Sequence, residues 1–203
     1  MTDGAEEARA VTEVEEREAA TDQVDEQVPL EEAQPPEHAP GAFDVPDGYT
    51  VLAGTPSGPG RAVGVVVSRF NGEITRRLLA AALEELERAG VAREATTVMP
   101  VPGAFELPLA AMALAKTRRF ACVIALGCVI RGETPHFEYV AGEAASGLQL
   151  AALETGVPVA FGVLTCDTVE QAEARFDKGA EAARSALEMA DLFTQLRVAA
   201  AAR

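Results

Sequence analysis

Only one histidine falls in the part of the chain whose composition can form a core: His136, within RGETPHFEY at 131–139. The other, His38, lies in an acidic N-terminal stretch. Thr134 can cap a helix and Pro135 suits a first helical position, so His136 is expected in the first turn of that helix. The positive end of a helix disfavours imidazolium. A neutral ring there can accept and return protons, an action that typically contributes about 10²–10⁴-fold. The same placement also suits a histidine that only bonds a neighbouring loop. Backbone N–H groups at this helix start, with the Thr134 hydroxyl, make an ordinary anion site. Pro135 removes one donor, so an anion there needs a cation as well. Arg131 and Arg175 are the candidates, each equally readable as a solvated surface arginine.

Phe70 and Asn71 stand together in SRFNG at 68–72. A large aromatic in a polar turn can stack on a planar ring while the Asn amide bonds the ring edge; it can also fold back onto the core. In PVPGAFELP at 100–108, Gly103 permits an unusual backbone, and the N–H groups of Ala104, Phe105 and Glu106 can face a ligand. Periodicity alone assigns Phe105 and Leu107 to the core. Cys122, Cys128 and Cys166 lie in apolar segments without metal-ligand spacing, and read as small buried hydrophobes in a reducing cytoplasm.

These residues need a frame, and the apolar pattern supplies one. Residues 62–68 (AVGVVVS) and 121–130 (ACVIALGCVI) are uninterrupted apolar runs, expected of strands covered on both faces. Residues 96–101 and 157–165 are two further strands. Between them fall helical segments at 74–89, 105–117 and 135–154, and after the last strand at 169–176 and 179–197. The first has Asn71 as its cap, Leu78, Leu79, Leu83 and Leu86 on one face, and Gly90 as its stop. Four β-α units with short links predict one parallel, doubly wound α/β sheet of four strands flanked by helices. Ligands in such sheets bind outside the carboxyl ends of the strands, where the residues above lie.

Composition narrows the choice. The chain has 203 residues, 48% of them hydrophobic, and a net charge of −15. The first 49 residues hold 15 Asp and Glu against Arg9 and Arg17, which leaves the rest at only −2. Residues 1–48 are read as a disordered acidic tail, and 49–203 as one domain opening on an extended piece at 49–53. No basic stripe tracks a nucleic acid, no apolar run reaches a membrane span, and the acidic start is unlike a signal peptide, so a cytoplasmic protein is expected. The first strand is followed by neither GxGxxG nor GxxxxGK[ST], so the usual dinucleotide and nucleoside triphosphate cradles are missing.

Taken together, SRFN at 68–71, PGAFE at 102–106, LGCVIRGETPHFEYV at 126–140, GVPVAFGVLT at 156–165 and EQAEAR…KGAEAA…ALEMA at 170–190 resemble the lumazine synthase family in order and spacing. The resemblance covers about residues 61–192 and implies a flavodoxin-like sheet. It further implies a homo-oligomer, a pentamer that in some members builds a hollow icosahedral shell of sixty subunits, with sites between neighbours and riboflavin synthase as an associated partner. By matching position, Phe70 stacks on a pyrimidine, with Asn71 beside it. Ala104, Phe105, Glu106, Cys128, Val129 and Ile130 line and bond the pyrimidine and its ribityl chain. Glu133 and Thr134 hold a keto-phosphate and His136 transfers protons. Phe161 and Arg175 reach in from the adjacent subunit, the latter onto phosphate. The condensation needs neither a redox step nor a carbanion sink, so no metal or organic cofactor is implied.

One departure is that only Phe176 and Asp177 separate Arg175 from Lys178, where many members carry a longer Gly- and Lys-rich stretch. Lys178 is a candidate stand-in for a second cation. Three other functions compete: a riboflavin synthase of the archaeal type, a non-catalytic flavin-binding or shell-forming scaffold, and an unrelated phosphate-binding module on a common fold. The retained His136 and Arg175 favour the synthase.

Overall fold

The computed structural model describes residues 44–201. Of residues 1–48, expected to be disordered, 1–43 lie outside the described residues, and 44–48 belong to no helix or strand. Four parallel strands, β1 (Val63–Ser68), β2 (Thr96–Val101), β3 (Cys122–Ile130) and β4 (Val159–Cys166), lie in the order β2-β1-β3-β4. This is the doubly wound parallel sheet that the alternating pattern predicts, in the flavodoxin-like order that the resemblance implies. β1 and β3 are central, and every residue of β1 is buried. Pro100 gives β2 a residue that cannot donate to a ladder, and β2 takes an edge, where that costs least.

Side-chain alternation sorts the helices onto two faces. Val66, Val123, Ala125 and Val163 point to one side and pack against α2 (Leu107–Lys116) and α3 (His136–Thr155). Val65, Val67, Ile124 and Leu126 point to the other, against α1 (Gly72–Arg88) and α5 (Lys178–Ala201). Leu78, Leu86 and Leu187 on α1 and α5, and Leu107 on α2, are fully buried, each contributing about 1.5–3 kcal/mol relative to exposure. Gly90 ends α1 at φ +91°, as its position predicts. Among the described residues, no helix is long and apolar enough to cross a membrane.

Several boundaries differ from expectation, each for a local reason. The stretch 105–117 begins as a 3-10 turn at Ala104–Glu106, so the helical phase starts only at Leu107. Leu107 is therefore core while Phe105 is 58% exposed. The expected helix 169–176 is shortened to α4 (Val169–Glu173), capped by the Thr168 hydroxyl, which accepts from Gln171 N–H at 3.2 Å. α3 begins at His136 with Pro135, not Thr134, in the capping position and no side-chain capping bond.

The extended piece at 49–53 joins no strand of its own sheet. The segment just beyond it lies along α5: Gln195 donates to the Ala53 carbonyl at 2.9 Å, and Thr55 N–H to Asp191 at 3.2 Å. Arg61, paired to Asp191 at 2.7 Å, fastens the entry to β1 against the same helix.

α1 and α5 cross in backbone contact. A Cβ on Gly179 would lie 2.1 Å from the Leu78 carbonyl oxygen, an atom that cannot swing away. Gly179→Ala would gain about 0.5–1 kcal/mol from helix entropy, but overpacking costs about 1–3 kcal/mol and prevails. The variant is expected to unfold at lower urea concentration than the parent; an unchanged or raised midpoint would show that the helices part freely.

Candidate active site

The connections from β1 and β3 run to opposite sides of the sheet, and a crevice opens where they diverge. There, at the carboxyl ends of β1 and β3, lies a cleft of about 590 Å³. The turn after β1 supplies Phe70 and Asn71, the turn after β2 supplies Ala104, Phe105 and Glu106, and the end of β3 supplies Cys128, Val129 and Ile130. Thr134 and His136 close one side, His136 as the first residue of the 20-residue α3. Ten of the thirteen residues singled out from sequence thus meet in one place. Glu133, Phe161 and Arg175 do not line it.

Asn71 is a correction. It stands before α1, but its side chain makes no capping bond. Its backbone is left-handed at φ +54°, and its amide donates to the Cys128 carbonyl at 3.0 Å. A residue tolerant of that conformation is used to tie the end of β1 to the end of β3, setting the cleft floor.

Phe70 lies 70% exposed over the cleft and does not fold back onto the core. An aromatic face of this size, held only by its turn, suits stacking on a planar ring. The Glu106 carboxylate is occupied locally, accepting from Gly103 N–H at 2.8 Å, which rigidifies the turn. Ala104 and Phe105, first in the 3-10 turn, have N–H groups with no partner inside it.

Cys128 and Cys166 are buried and free, as is Cys122. Burial, with a smaller effect from Cys166, pushes the Cys128 thiol up to about 12. It is a neutral part of the floor at physiological pH, not a nucleophile.

Both alternative cations are already engaged. Arg131 binds Asp167 at 2.8 Å and Glu138 at 2.9 Å, with its guanidinium 4.3 Å from the centre of the Phe137 ring. Lys178 is held by both Glu181 oxygens at 2.8 Å. The expectation that Arg131 or Lys178 serves an anion therefore weakens. Arg175 is exposed, and its guanidinium donates to the Gln171 carbonyl at 2.6 Å. Burial pushes the Cys166 thiol, at the end of β4, up, and the Arg175 charge opposes this.

Gly103, Gly132, Phe137, Tyr139 and Val140 also line the cleft. Tyr139 and Val140 follow His136 by three and four residues, a helical spacing present in the sequence, and Tyr139 is 69% exposed at the rim. Phe137, one residue on, has no such signal. Among the described residues, no three His, Cys, Asp or Glu side chains are grouped to hold a metal.

The fold and cleft define an α/β protein with a ligand-sized cleft at the switch point of its sheet. The 6,7-dimethyl-8-ribityllumazine synthase family model matches residues 60–194. A 6,7-dimethyl-8-ribityllumazine synthase from Syntrophus aciditrophicus (strain SB) is 52% identical over 152 residues, spanning 72% of this chain and 99% of the relative. The chain belongs to the 6,7-dimethyl-8-ribityllumazine synthase family.

The Asn71 tie makes a graded prediction. Asn71→Gly keeps the left-handed backbone and loses one hydrogen bond, about 1 kcal/mol; Asn71→Ala adds about 1–2 kcal/mol of backbone strain. Urea unfolding should rank the parent above the Gly variant and Gly above Ala. Ala equal to Gly would mean that the conformation is not demanded.

Proposed function

We infer that the protein condenses 5-amino-6-(ribitylamino)pyrimidinedione with 3,4-dihydroxy-2-butanone 4-phosphate to 6,7-dimethyl-8-ribityllumazine, the penultimate step of riboflavin biosynthesis. The observation that carries this, beside family membership, is the meeting of Phe70, His136 and the turn at Ala104–Glu106 around one cleft.

The pyrimidine amine attacks the ketone and expels water as an imine. Loss of a proton and departure of phosphate then give an enol, which tautomerises to a ketone. The ribitylamino nitrogen closes the ring on that carbon with loss of a second water. Phe70 stacks on the pyrimidine with Asn71 at its turn. The N–H groups of Ala104 and Phe105 bond its edge, while Glu106 holds their turn. Cys128, Val129 and Ile130 form the floor under the ribityl chain. Glu133 and Thr134 bind the keto-phosphate at the start of α3, and His136 takes and returns the protons. Holding two reactants in register supplies much of the acceleration, since effective molarities for aligned reactants reach about 10⁵–10⁸ M.

Phe161 and Arg175 act in the site of a neighbouring subunit. Neither lines the cleft of its own chain, and Phe161 is 48% exposed on edge strand β4. Beside that strand an apolar depression lined by Leu153, Pro158, Met189 and Phe193 offers a surface for a second copy. The assembly is a pentamer, or a shell of pentamers, working in the cytoplasm, with riboflavin synthase as the consumer of its product. Residues 50–52 belong to no regular element, Tyr49, Val51 and Leu52 are exposed, and β2 leaves one edge of the sheet open, so a neighbour's edge can take this piece as a strand.

Three experiments test the reading. His136→Ala should lower kcat about 10²–10⁴-fold with little change in ligand affinity, and mixed oligomers refolded from His136→Ala and Arg175→Ala subunits should regain activity. An unchanged kcat removes His136 from the chemistry, and mixtures that stay inactive remove the shared site. Deleting residues 1–48 should leave turnover and sedimentation intact, whereas deleting through Ala53 should weaken the oligomer. Collapse of the assembly after the shorter cut would make the acidic stretch structural.

A further inference from the structure

Arg175 stands in a turn at 174–177 that joins α4 to α5. Backbone bonds close this turn: Arg175 N–H to the Ala172 carbonyl at 3.1 Å, Lys178 N–H to Arg175 at 3.2 Å, and Gly179 N–H to Phe176 at 3.2 Å. They fix the turn to α4 and α5. They do not fix it to the strand ends of its own sheet, past which Arg175 has to reach toward the neighbour's site.

Phe176 supplies that second attachment. Its ring is half-buried against Ile74, Leu78, Cys128 and Leu164, side chains of α1 and of the strand ends. The guanidinium carbon of Arg77 lies 3.3 Å from the ring centre. The neighbouring Arg76 takes Glu73 at 2.6 Å, and Arg77 forms no ion pair among the described residues. Its one recorded partner is the aromatic face. The two residues are brought together by the close crossing at Gly179 and Leu78, one residue beyond Arg77 and three beyond Phe176.

We infer that Arg77 is a positioning residue for the keto-phosphate: stacked on Phe176, it holds the turn that aims Arg175. The inference rests on the reading of Arg175 as the phosphate-binding cation. Arg77 itself touches no substrate. Its effect passes through the aromatic ring, and so depends on a planar cation above that ring rather than on charge alone.

Steady-state kinetics on the full-length oligomer test this, with Arg77→Gln, Arg77→Lys, Phe176→Leu, the Arg77→Gln/Phe176→Leu double variant and Arg175→Ala. A stacked pair at an exposed site contributes enough that losing it should raise KM for the keto-phosphate about two- to five-fold. KM for the pyrimidine, kcat and the thermal midpoint should stay near the parent values. Phe176→Leu should match Arg77→Gln, the double variant should be no worse than either single, and Arg77→Lys should fall between parent and Gln. Inhibition by inorganic phosphate should weaken in the same order. An unchanged keto-phosphate KM in Arg77→Gln, where Arg175→Ala raises it strongly, overturns the inference and leaves the Arg175 reading standing. Multiplying effects in the double variant overturn it in favour of direct contact between Arg77 and phosphate. A rise in both KM values with a lowered midpoint overturns it in favour of a merely structural role. An Arg175→Ala protein with normal keto-phosphate KM overturns the Arg175 reading and the inference with it.

Discussion

Burying both faces of two adjacent parallel strands is the constraint from which this architecture follows. β1 and β3 carry apolar side chains in both directions, so helices must cover both sides of the sheet. With β2 paired to one side of β1 and β3 to the other, the connections that follow β1 and β3 leave the sheet on different sides. A crevice at the carboxyl ends is then unavoidable, and the loops that bound it are free to carry chemistry because the core does not depend on them. The Asn71 amide, spanning to the Cys128 carbonyl, stops the two strand ends from spreading at the point where no helix lies between them.

The elements were legible where one physical signal dominated. Continuous apolar runs marked β1 and β3, and the leucine stripe with Gly90 marked α1, because burial on two faces or on one stripe leaves a direct imprint on residue type. Features settled by partners far along the chain were not legible. Asn71 before a helix reads as a cap, and only a carbonyl 57 positions away shows that its side chain is spent elsewhere. Arg131 reads as an available cation until Asp167 and Glu138 are seen on either side of it. Phe105 was assigned to the core because a 3.6-residue period was extended back through a turn of period three.

The candidate site was legible in a different way. The residues after each strand end are polar, aromatic or glycine, set between stretches that are almost wholly apolar, and the sheet brings them together with no further instruction. Of the three missing from the cleft, Phe161 and Arg175 lie on an edge strand and on the turn into α5. A single chain gives them no common target. Their separation supports the proposed sharing of the site, since a site completed by a second copy leaves part of its inventory on the outside of the first.

Cys128 carries a consequence for the lifetime of the product. Its thiol lies in the floor of a cleft shaped for an electron-poor bicyclic ring, and such rings accept soft nucleophiles. With burial pushing the thiol up to about 12, it stays protonated near neutral pH. As a thiol it can pack beside a ring as a polarisable apolar atom and is a far weaker nucleophile, and a slower target for oxidants, than a thiolate. Desolvation thus gives the floor softness without reactivity, and a site that forms a conjugated heterocycle at every turnover is spared modification by what it makes.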